Sequence, residues 1–256
     1  MDNQLIIKKI NNSLLLSVII VTKNPGEDLY LTLASLLPLN HPFVEIILKD
    51  NSDKEDLSAV NTVFQFSNFR FIRSEDKGIY EAMNQALSTA NGKYVYFLNA
   101  GDQYININLP DMLQNADDNI GYFYGNVIVL HPRTKFIRFS KKINPYLIFL
   151  KNLNHQGIIF KRSVFDKIGY YDTDFNVGSD FLLTLRMSKY FPGRKIQKFL
   201  SIYKGAGVSY QYKPTELEKK LMRTRLKEIF NPLELAILSI SSQIISFGLY
   251  IKNLFK

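Results

Sequence analysis

Short apolar runs alternate with helical patterns through the first half of the chain. Four runs, at residues 14–21, 44–48, 69–72 and 94–98, have the length and apolar content of buried strands. The clearest helical pattern lies at residues 79–90, where apolar side chains recur three and four positions apart, and Gly92 then favours a stop. Strands that alternate with helices are typical of a parallel sheet with helical crossovers. This half of the chain therefore predicts an α/β fold.

The pattern is less regular after Asp102. Strands are predicted at residues 121–130, 135–139, 156–161 and 195–203, with an amphipathic helix at about 180–190. We find no internal repeat and no low-complexity linker, and the composition changes only near Lys213. We therefore predict one α/β domain over residues 1–212, with a mostly parallel sheet flanked by helices, and a helical extension over residues 213–256.

The C-terminal extension is first basic and then amphipathic. The net charge of the chain is +9, and a cluster of basic residues lies here: Lys213, Lys219, Lys220, Arg223, Arg225 and Lys227. After Pro232, one apolar stripe runs from Leu233 to Leu254, and serines interrupt it too often for a transmembrane span of about 20 apolar residues. We expect this tail either to lie on the inner face of the cell membrane, or to pack against the domain or the second subunit of a homodimer.

Composition limits the chemistry and the partners. The chain has no cysteine, which excludes disulfides and thiolate metal sites and fits the cytosol. Residues 1–13 lack the pattern of a secretory signal, so we expect a cytoplasmic protein, peripheral on the membrane. Nucleic acid is not expected as a partner, because the basic residues lie in the tail without interleaved aromatic side chains. Neither a GxGxxG nor a P-loop motif is present.

Polar side chains follow each predicted strand of the first half. They are Thr22 and Asn24, Asp50 and Asn51, Glu75, Asp76 and Lys77, and Asn99 and Asp102. Ligands of parallel α/β sheets bind outside the carboxyl ends of the strands, so these residues are expected at one edge. Asp102 is the candidate ligand for Mg²⁺ or Mn²⁺, because these ions favour carboxylate oxygens. The alternative is that Asp102 caps the helix that follows it.

Several segments, in this order, resemble motifs of the family 2 glycosyltransferases. They are Ser17 to Asn24 (SVIIVTKN), Lys49 to Ser52 (KDNS), Ser74 to Asn84 (SEDKGIYEAMN), Phe97 to Asp102 (FLNAGD), and the downstream Asn154-His155-Gln156 and Gly178-Ser179-Asp180. Within that family the chain is similar to the colanic-acid-type, surface-polysaccharide branch. The resemblance covers about residues 14–210. It implies the Rossmann-like GT-A fold, with a nucleotide-binding half at about 14–102 and an acceptor half at about 103–212.

The resemblance also implies a donor site. The residues assigned to it are Thr22, Asn24, Asp50, Asp76, Lys77, Gly78 and Asn99. The family carboxylate that matches Asp50 contacts the nucleotide base, usually uracil, and Asp76 falls where the nucleoside or sugar is held. Asp102 matches the metal-binding Asp of the D-x-D signature, which implies Mn²⁺ or Mg²⁺ as a cofactor. The chain departs from the common form where Asn99 and Gly101 replace acidic residues, and where Lys49 replaces the first Asp of a pair.

Asp180 is the residue that the resemblance assigns as the base. A transferase needs a group that takes the proton of the acceptor hydroxyl, and a carboxylate within reach does this. The alternative role of Asp180 is an N-cap, and Asp172 and Asp174 compete as bases. A further set is assigned to the acceptor or the diphosphate: His155, Gln156 and Gly207. A structural role for His155 and a simple turn at Gly207 are the alternatives.

These observations predict an inverting glycosyltransferase. It would move a sugar from a nucleotide diphosphate donor, UDP in the first instance, to a lipid-linked or polysaccharide acceptor in bacterial cell-surface glycan synthesis. One alternative is a sugar nucleotidyltransferase, for which Thr22 to Gly26 is a poor triphosphate loop. The other is a nucleotide-sugar-binding protein without catalysis, which the loss of acidic residues at Asn99 and Gly101 suggests.

Overall fold

The first half of the molecule is a parallel sheet. The computed structural model describes residues 14–105, 108–130, 135–138, 146, 148, 153–205 and 212–244. Its first four strands are β1 (Leu16–Thr22), β2 (Val44–Asp50), β3 (Phe69–Arg73) and β4 (Tyr94–Phe97). They pair in parallel in the order β3-β2-β1-β4. Because Thr22 lies beside Asp50 in the register, the carboxyl ends of β1 and β2 are level. These four predicted strands are confirmed.

The second half of the sheet is mixed. Its strands are β5 (Gln103–Tyr104), β6 (Tyr122–Leu130), β7 (Lys135–Arg138), β8 (Ile158–Lys161) and β9 (Gly193–Lys204). The order across the sheet is β3-β2-β1-β4-β8-β6-β9-β5, with β7 beside β6. β8 runs antiparallel to β4 and to β6, and β9 runs parallel to β6. The parallel arrangement thus extends through β1 to β4 and recurs at β6 and β9, because β8 reverses the direction between them.

Helices cover both faces of the sheet. In the described residues they are α1 (Glu27–Ser35), α2 (Asn61–Phe64), α3 (Ile79–Thr89), α4 (Leu109–Gln114), α5 (Val164–Ile168), α6 (Ser179–Tyr190), α7 (Glu216–Ile229) and α8 (Pro232–Ile244). Side chains of β1 alternate between two cores, as the strand period requires. Val18 and Ile20 join the core that includes α1 and α4, whereas Ile19 and Val21 join the core that includes α3, α6 and α7.

The helical extension packs on the second core. Met222, Leu226 and Ile229 of α7 are buried in the same cluster as the apolar residues of α3 and α6. In α8, Leu238 is buried in that cluster, whereas Leu233 is 71% exposed and Ile237 is 52% exposed. Within the described ranges, every helix is too short or too polar to cross a membrane. Residues 245–256 lie outside the described residues.

Candidate active site

Three buried oxygen atoms at one edge of the sheet have no hydrogen-bond partner among the described residues. They are Oγ1 of Thr22 at the end of β1, Oδ2 of Asp50 at the end of β2, and Oδ1 of Asn99 just beyond β4. A buried polar atom without a partner costs about 1–3 kcal/mol. All three residues lie at the carboxyl ends of neighbouring parallel strands, where ligands of such sheets bind. A ligand with hydrogen-bond donors would remove this cost, so the edge has the character of a binding site.

The side chain of Asp50 is fixed with one oxygen left over. Asp50 is fully buried, and its Oδ1 accepts hydrogen bonds from the backbone N–H of Ser52 at 2.9 Å and from the Ser52 hydroxyl at 2.5 Å. These two bonds set the rotamer of the carboxylate, which leaves Oδ2 as the unpartnered atom. Asp50 therefore presents one acceptor atom, Oδ2, in a fixed direction, which suits hydrogen bonding to a nucleotide base.

Lys49 and Asp76 form an ion pair beside Asp50. The Lys49 side chain is fully buried, and its Nζ lies 2.5 Å from Oδ2 of Asp76 and 2.7 Å from the backbone oxygen of Ser74. Oδ1 of Asp76 accepts a bond from the Gly78 N–H at 3.2 Å. Both oxygens of Asp76 thus hold the loop between β3 and α3. The lysine that departs from the family pattern has a local reason, because it fixes this loop.

The remaining donor-site predictions fall on the same loops. Asn24, with φ +48°, uses its amide to hold the loop after β2, through Oδ1 of Asp53 at 2.5 Å and the N–H of Lys54 at 3.1 Å. Lys77 is exposed, and its N–H bonds to Glu81 in the first turn of α3. The structure therefore brings all the predicted donor residues to one edge of the sheet. Thr22, Asp50 and Asn99 have an unpartnered oxygen there, whereas the others take part in hydrogen bonds that hold the surrounding loops.

Asp102 follows a tight turn. Its N–H donates to the backbone oxygen of Asn99 at 3.0 Å, and Gly101 between them has φ +98°, which a side chain would strain. The carboxylate is buried, and it accepts a bond from Nε2 of Gln156 and one from the N–H of Lys204, both at 3.0 Å. The strand β5 follows directly, so the alternative of a helix cap is wrong.

The buried environment of Asp102 changes the pKa of its carboxyl group. Burial raises the pKa of Asp102 to about 7, although the bonds from Lys204 and Gln156 act in the opposite direction. No cluster of three ligand-type side chains occurs among the described residues. The oxygen donors at the turn include the Asp102 carboxylate and the unpartnered Oδ1 of Asn99, whereas the Asp28 carboxylate beside Gly101 is paired with Lys204. Such a small set fits a cation that takes its other ligands from phosphates and water, as Mg²⁺ commonly does.

Asp180 lies in the first turn of α6 and bonds to a tyrosine of α3. The N-cap of α6 is Gly178, so the alternative role of Asp180 as an N-cap is wrong. Oδ1 of the half-buried Asp180 accepts a hydrogen bond from the hydroxyl of Tyr80 at 2.9 Å. The competing carboxylates, Asp172 and Asp174, are engaged by Arg225 of α7. Asp180 is therefore the one of the three whose partner comes from the donor side of the molecule.

His155 packs against the aromatic rings of Phe97 and Tyr171, close to Asp180. Its Nε2 is 3.1 Å from the hydroxyl of Tyr171, and its ring packs against Phe97 at a centroid distance of 5.4 Å. Burial lowers the pKa of His155, and the nearby charge of Asp180 opposes that shift. The next residue along the chain, Gln156, donates a hydrogen bond to Asp102. This two-residue segment is therefore close both to Asp180 and to Asp102.

Tyr80 and Tyr171 are the site residues that sequence reasoning missed. Their rings stack with centroids 5.6 Å apart, and their hydroxyls contact Asp180 and His155. Tyr80 lies in the motif at residues 74–84, and the apolar face of its helix accounts for the burial of its ring. No neighbouring residue in the sequence indicates a partner for its hydroxyl. Gly207, predicted near the acceptor or the diphosphate, lies outside the described residues.

Comparison with known proteins identifies the family. The family model described as Glycosyl transferase family 2 matches residues 17–183. A PGL/p-HBAD biosynthesis glycosyltransferase of Mycobacterium bovis (strain BCG / Pasteur 1173P2) is 30% identical over 180 residues, which cover 66% of this chain and 68% of the relative. The Escherichia coli enzyme UDP-Glc:alpha-D-GlcNAc-diphosphoundecaprenol beta-1,3-glucosyltransferase WfaP is 26% identical over 117 residues, 45% of this chain and 47% of that enzyme.

Solved structures with the same fold include two proteins in complex with nucleotide sugars. Residues 1–349 of S. aureus TarS, in complex with UDP-GlcNAc, superpose with a TM-score of 0.72 at 19% identity, over 88% of this chain and 70% of that one. The mannosyltransferase PcManGT from Pyrobaculum calidifontis, with GDP-Man and Mn²⁺, gives a TM-score of 0.56 at 16% identity, over 94% and 78%.

The fold is that of a GT-A glycosyltransferase. The chain belongs to glycosyl transferase family 2. The predicted family, fold and general activity, glycosyl transfer, are thereby confirmed.

Proposed function

We propose that the protein is an inverting transferase that moves a sugar from a UDP-sugar to a lipid-linked or polysaccharide acceptor. The observation that carries this proposal is the set of unpartnered buried oxygens of Thr22, Asp50 and Asn99 at one edge of the sheet. The proposal is supported by TarS, which was solved with UDP-GlcNAc, and by WfaP, whose name states a UDP-Glc donor and a diphosphoundecaprenol-linked acceptor.

In the proposed reaction, each half of the site has its own task. Oδ2 of Asp50 accepts a hydrogen bond from the nucleotide base, which for uracil is the ring N–H. Asp180 accepts the proton of the acceptor hydroxyl as that oxygen attacks the anomeric carbon. The bond from the anomeric carbon to the diphosphate breaks on the opposite face, so configuration inverts and no covalent enzyme intermediate forms.

A divalent cation would be held by Asp102 and the Asn99 side chain together with the donor diphosphate. When bound, such an ion offsets the negative charge that develops on the leaving diphosphate. Gln156 and the N–H of Lys204 orient the Asp102 carboxylate. A cation bound there would keep the Asp102 carboxylate ionised, because its positive charge would lower the pKa of this group from about 7 and the proton would be released to solvent.

Release of UDP tests the proposed chemistry. The protein is incubated with UDP-glucose or UDP-GlcNAc and Mn²⁺, and free UDP is measured with water as the acceptor. We expect Asp180→Asn to lose about 10²–10⁴-fold in rate, the usual contribution of a general base. The matched control is Asp166→Asn, because Asp166 also lies in the first turn of a helix, α5, but is exposed.

The outcomes separate the candidate functions. Slow UDP release that needs Asp180 supports the transferase. Full turnover by a folded Asp180→Asn protein contradicts the role of Asp180. Pyrophosphate formation from UTP and a sugar phosphate would indicate a nucleotidyltransferase, and UDP-sugar binding without release, even with membrane acceptors added, would indicate a binding protein without catalysis.

We further propose that α8 docks the enzyme on the inner face of the cell membrane. The exposed side chains of Leu233 and Ile237 supply an apolar surface, and exposed lysines of α7, such as Lys220 and Lys227, supply positive charge nearby. Apolar area and attraction to anionic lipid together govern such binding. A lipid-linked acceptor would then lie within reach of the site.

Vesicle sedimentation tests the membrane proposal. We expect binding to vesicles of phosphatidylglycerol but not of phosphatidylcholine, and a loss of about tenfold or more for Leu233→Glu combined with Ile237→Glu. Val63→Glu is the matched control, because Val63 is 67% exposed on α2, outside this surface. Equal binding by the double variant would contradict the membrane role. Association of copies in solution that the double variant abolishes would instead indicate a subunit interface.

A further inference from the structure

The hydroxyl of Tyr80 connects the donor half of the molecule to Asp180. It donates a hydrogen bond to Oδ1 of Asp180 at 2.9 Å and accepts one from the N–H of Gly178, also at 2.9 Å. Gly178 is the N-cap of α6, with φ +101°, so a single hydroxyl holds both the carboxylate and the start of the helix that carries it. These partners lie 98 and 100 residues away along the chain.

We infer that Tyr80 is a positioning residue, which aims the carboxylate of Asp180 at the acceptor through the hydrogen bond that it donates to Oδ1. This inference rests on the proposed role of Asp180 as the base. A misplacement of about 1 Å at a reacting group costs about a hundredfold in rate, so a rigid mount for the base has a large effect.

The surroundings keep the Tyr80 hydroxyl in the donor role. Burial, and then the charge of Asp180, raise the pKa of Tyr80 well above its ordinary value, so the phenol keeps its proton across the working range. Its ring is stacked on Tyr171, whose hydroxyl contacts His155 instead of Asp180. Among the described residues, the charge of Asp180 acts on the titratable groups of Tyr80, Tyr171 and His155, and Tyr80 supplies the direct hydrogen bond.

Tyr80 also lies next to the donor loop. It is the second residue of α3, and Gly78, the N-cap of that helix, is bonded to Asp76. The buried Lys49 holds Asp76 in turn. A continuous set of contacts therefore runs from the donor side of the sheet to the proposed base, and it is assembled only in the folded protein.

The test is Tyr80→Phe, which removes the hydroxyl and keeps the ring. UDP release from UDP-glucose or UDP-GlcNAc, with Mn²⁺, is measured between pH 5.5 and 9. We expect kcat to fall about ten- to a hundredfold, with KM for the donor changed less than about threefold, since donor contacts remain. The acidic limb of the kcat profile should move to higher pH, because the carboxylate loses a bond that favours its charged form.

The matched control is Tyr122→Phe. Tyr122 is also buried, and it pairs with Phe160, which itself pairs with Val95 near the start of β4, whereas the site lies beyond the other end of that strand. We expect wild-type kcat and an unmoved acidic limb. A second probe is 3-fluorotyrosine at position 80, which keeps both hydrogen bonds and is a stronger donor. With it, the acidic limb should move to lower pH even if Tyr80→Phe does not fold.

The possible results distinguish failure of the role of Tyr80 from failure of the proposed transferase function. Wild-type turnover with an unmoved acidic limb in Tyr80→Phe, or an unmoved limb with 3-fluorotyrosine, overturns the inference about Tyr80 and leaves the transferase intact. A fall in kcat with no shift of the limb means a structural role alone, which also overturns it. If the wild-type protein releases UDP from neither donor, the proposed function fails, and the inference fails with it.

Discussion

At the residue scale, two kinds of buried polar group build the candidate site. Thr22, Asp50 and Asn99 each carry a buried oxygen without a partner in the described structure, at the edge where a donor would bind. The side chains of Lys49 and His155 are also buried, but each contacts a defined neighbour and holds the frame of the site. The unpartnered oxygens lower the stability of the ligand-free protein, and a ligand that donates hydrogen bonds to them would remove this penalty. The partnered groups stabilise the fold, so substituting one of them leaves its partner unsatisfied and lowers the free energy of unfolding.

The ion pair of Lys49 and Asp76 gives the sharpest stability prediction. Lys49→Met should lower the free energy of unfolding by about 3–5 kcal/mol, because the nearly buried Asp76 carboxylate would lose its ion-pair partner. Adding Asp76→Asn should restore part of the loss. Lys204→Met is the control, since its pair with Asp28 is largely exposed and should matter by at most about 1 kcal/mol. Equal losses in urea denaturation would contradict this account.

His155 should make stability depend on pH. Burial lowers its pKa in the folded protein, so below its ordinary value of 6.5 the unfolded chain binds a proton that the native state refuses. The contribution of His155 to the free energy of unfolding should therefore fall as pH decreases from 7 to 5, by at most about 1.4 kcal/mol per pH unit. The raised pKa of Asp102 acts in the opposite direction over the same range, so the prediction concerns the difference between variant and wild type. As pH decreases, the free energy of unfolding of His155→Gln should rise relative to that of the wild type, measured by urea denaturation at several pH values. The exposed His41→Gln should keep the wild-type slope, and a slope that His155→Gln leaves unaltered would contradict the prediction.

At the element scale, the sequence predicts local structure well and pairing less well. The runs at β1 to β4 and the helices α3 and α6 follow from apolar periodicity, which depends on neighbouring residues. The reversal at β8 does not, because strand direction depends on a partner far along the chain. The site divides in the same way. Strand-end residues such as Asp50 were predictable from position, whereas the bond from Tyr80 spans 100 residues and has no local signal.

The helix α7 tests whether the C-terminal extension belongs to the cooperative core. Thr215 caps it in a reciprocal box with Glu218, and a side-chain cap of this kind contributes about 1 kcal/mol. Thr215→Ala should lower the free energy of global unfolding by that amount, because Met222 and Leu226 are buried in the core shared with α3 and α6.

Thr224→Ala is the control in the same helix. The Thr224 hydroxyl bonds back to the Lys220 carbonyl of the same helix, so its removal should be neutral or slightly stabilising. An unchanged global transition in Thr215→Ala would mean that α7 unfolds as a separate tail.

At the scale of the whole molecule, the proposed site joins elements that are distant in sequence. The donor edge is assembled from the ends of β1 and β2 and the turn after β4, whereas Gln156 and Lys204 reach Asp102 from the second half of the chain. None of these contacts exists in an unfolded chain. A ligand at this edge therefore binds the folded state alone, and its binding free energy adds to the stability of the entire protein.

This linkage separates the nucleotide from the cation in one measurement. UDP at about a hundred times its Kd should raise the free energy of unfolding by about 2.7 kcal/mol, and UDP with Mn²⁺ should raise it further if the ion bridges Asp102 and the diphosphate. EDTA should remove only the second increment. Asp102→Asn should lose the same increment and keep the first, since Asp50 and Thr22 do not depend on the ion. If Mn²⁺ adds equally to the wild type and to Asp102→Asn, the cation binds elsewhere, because the Asp102 carboxylate would then be dispensable for its binding.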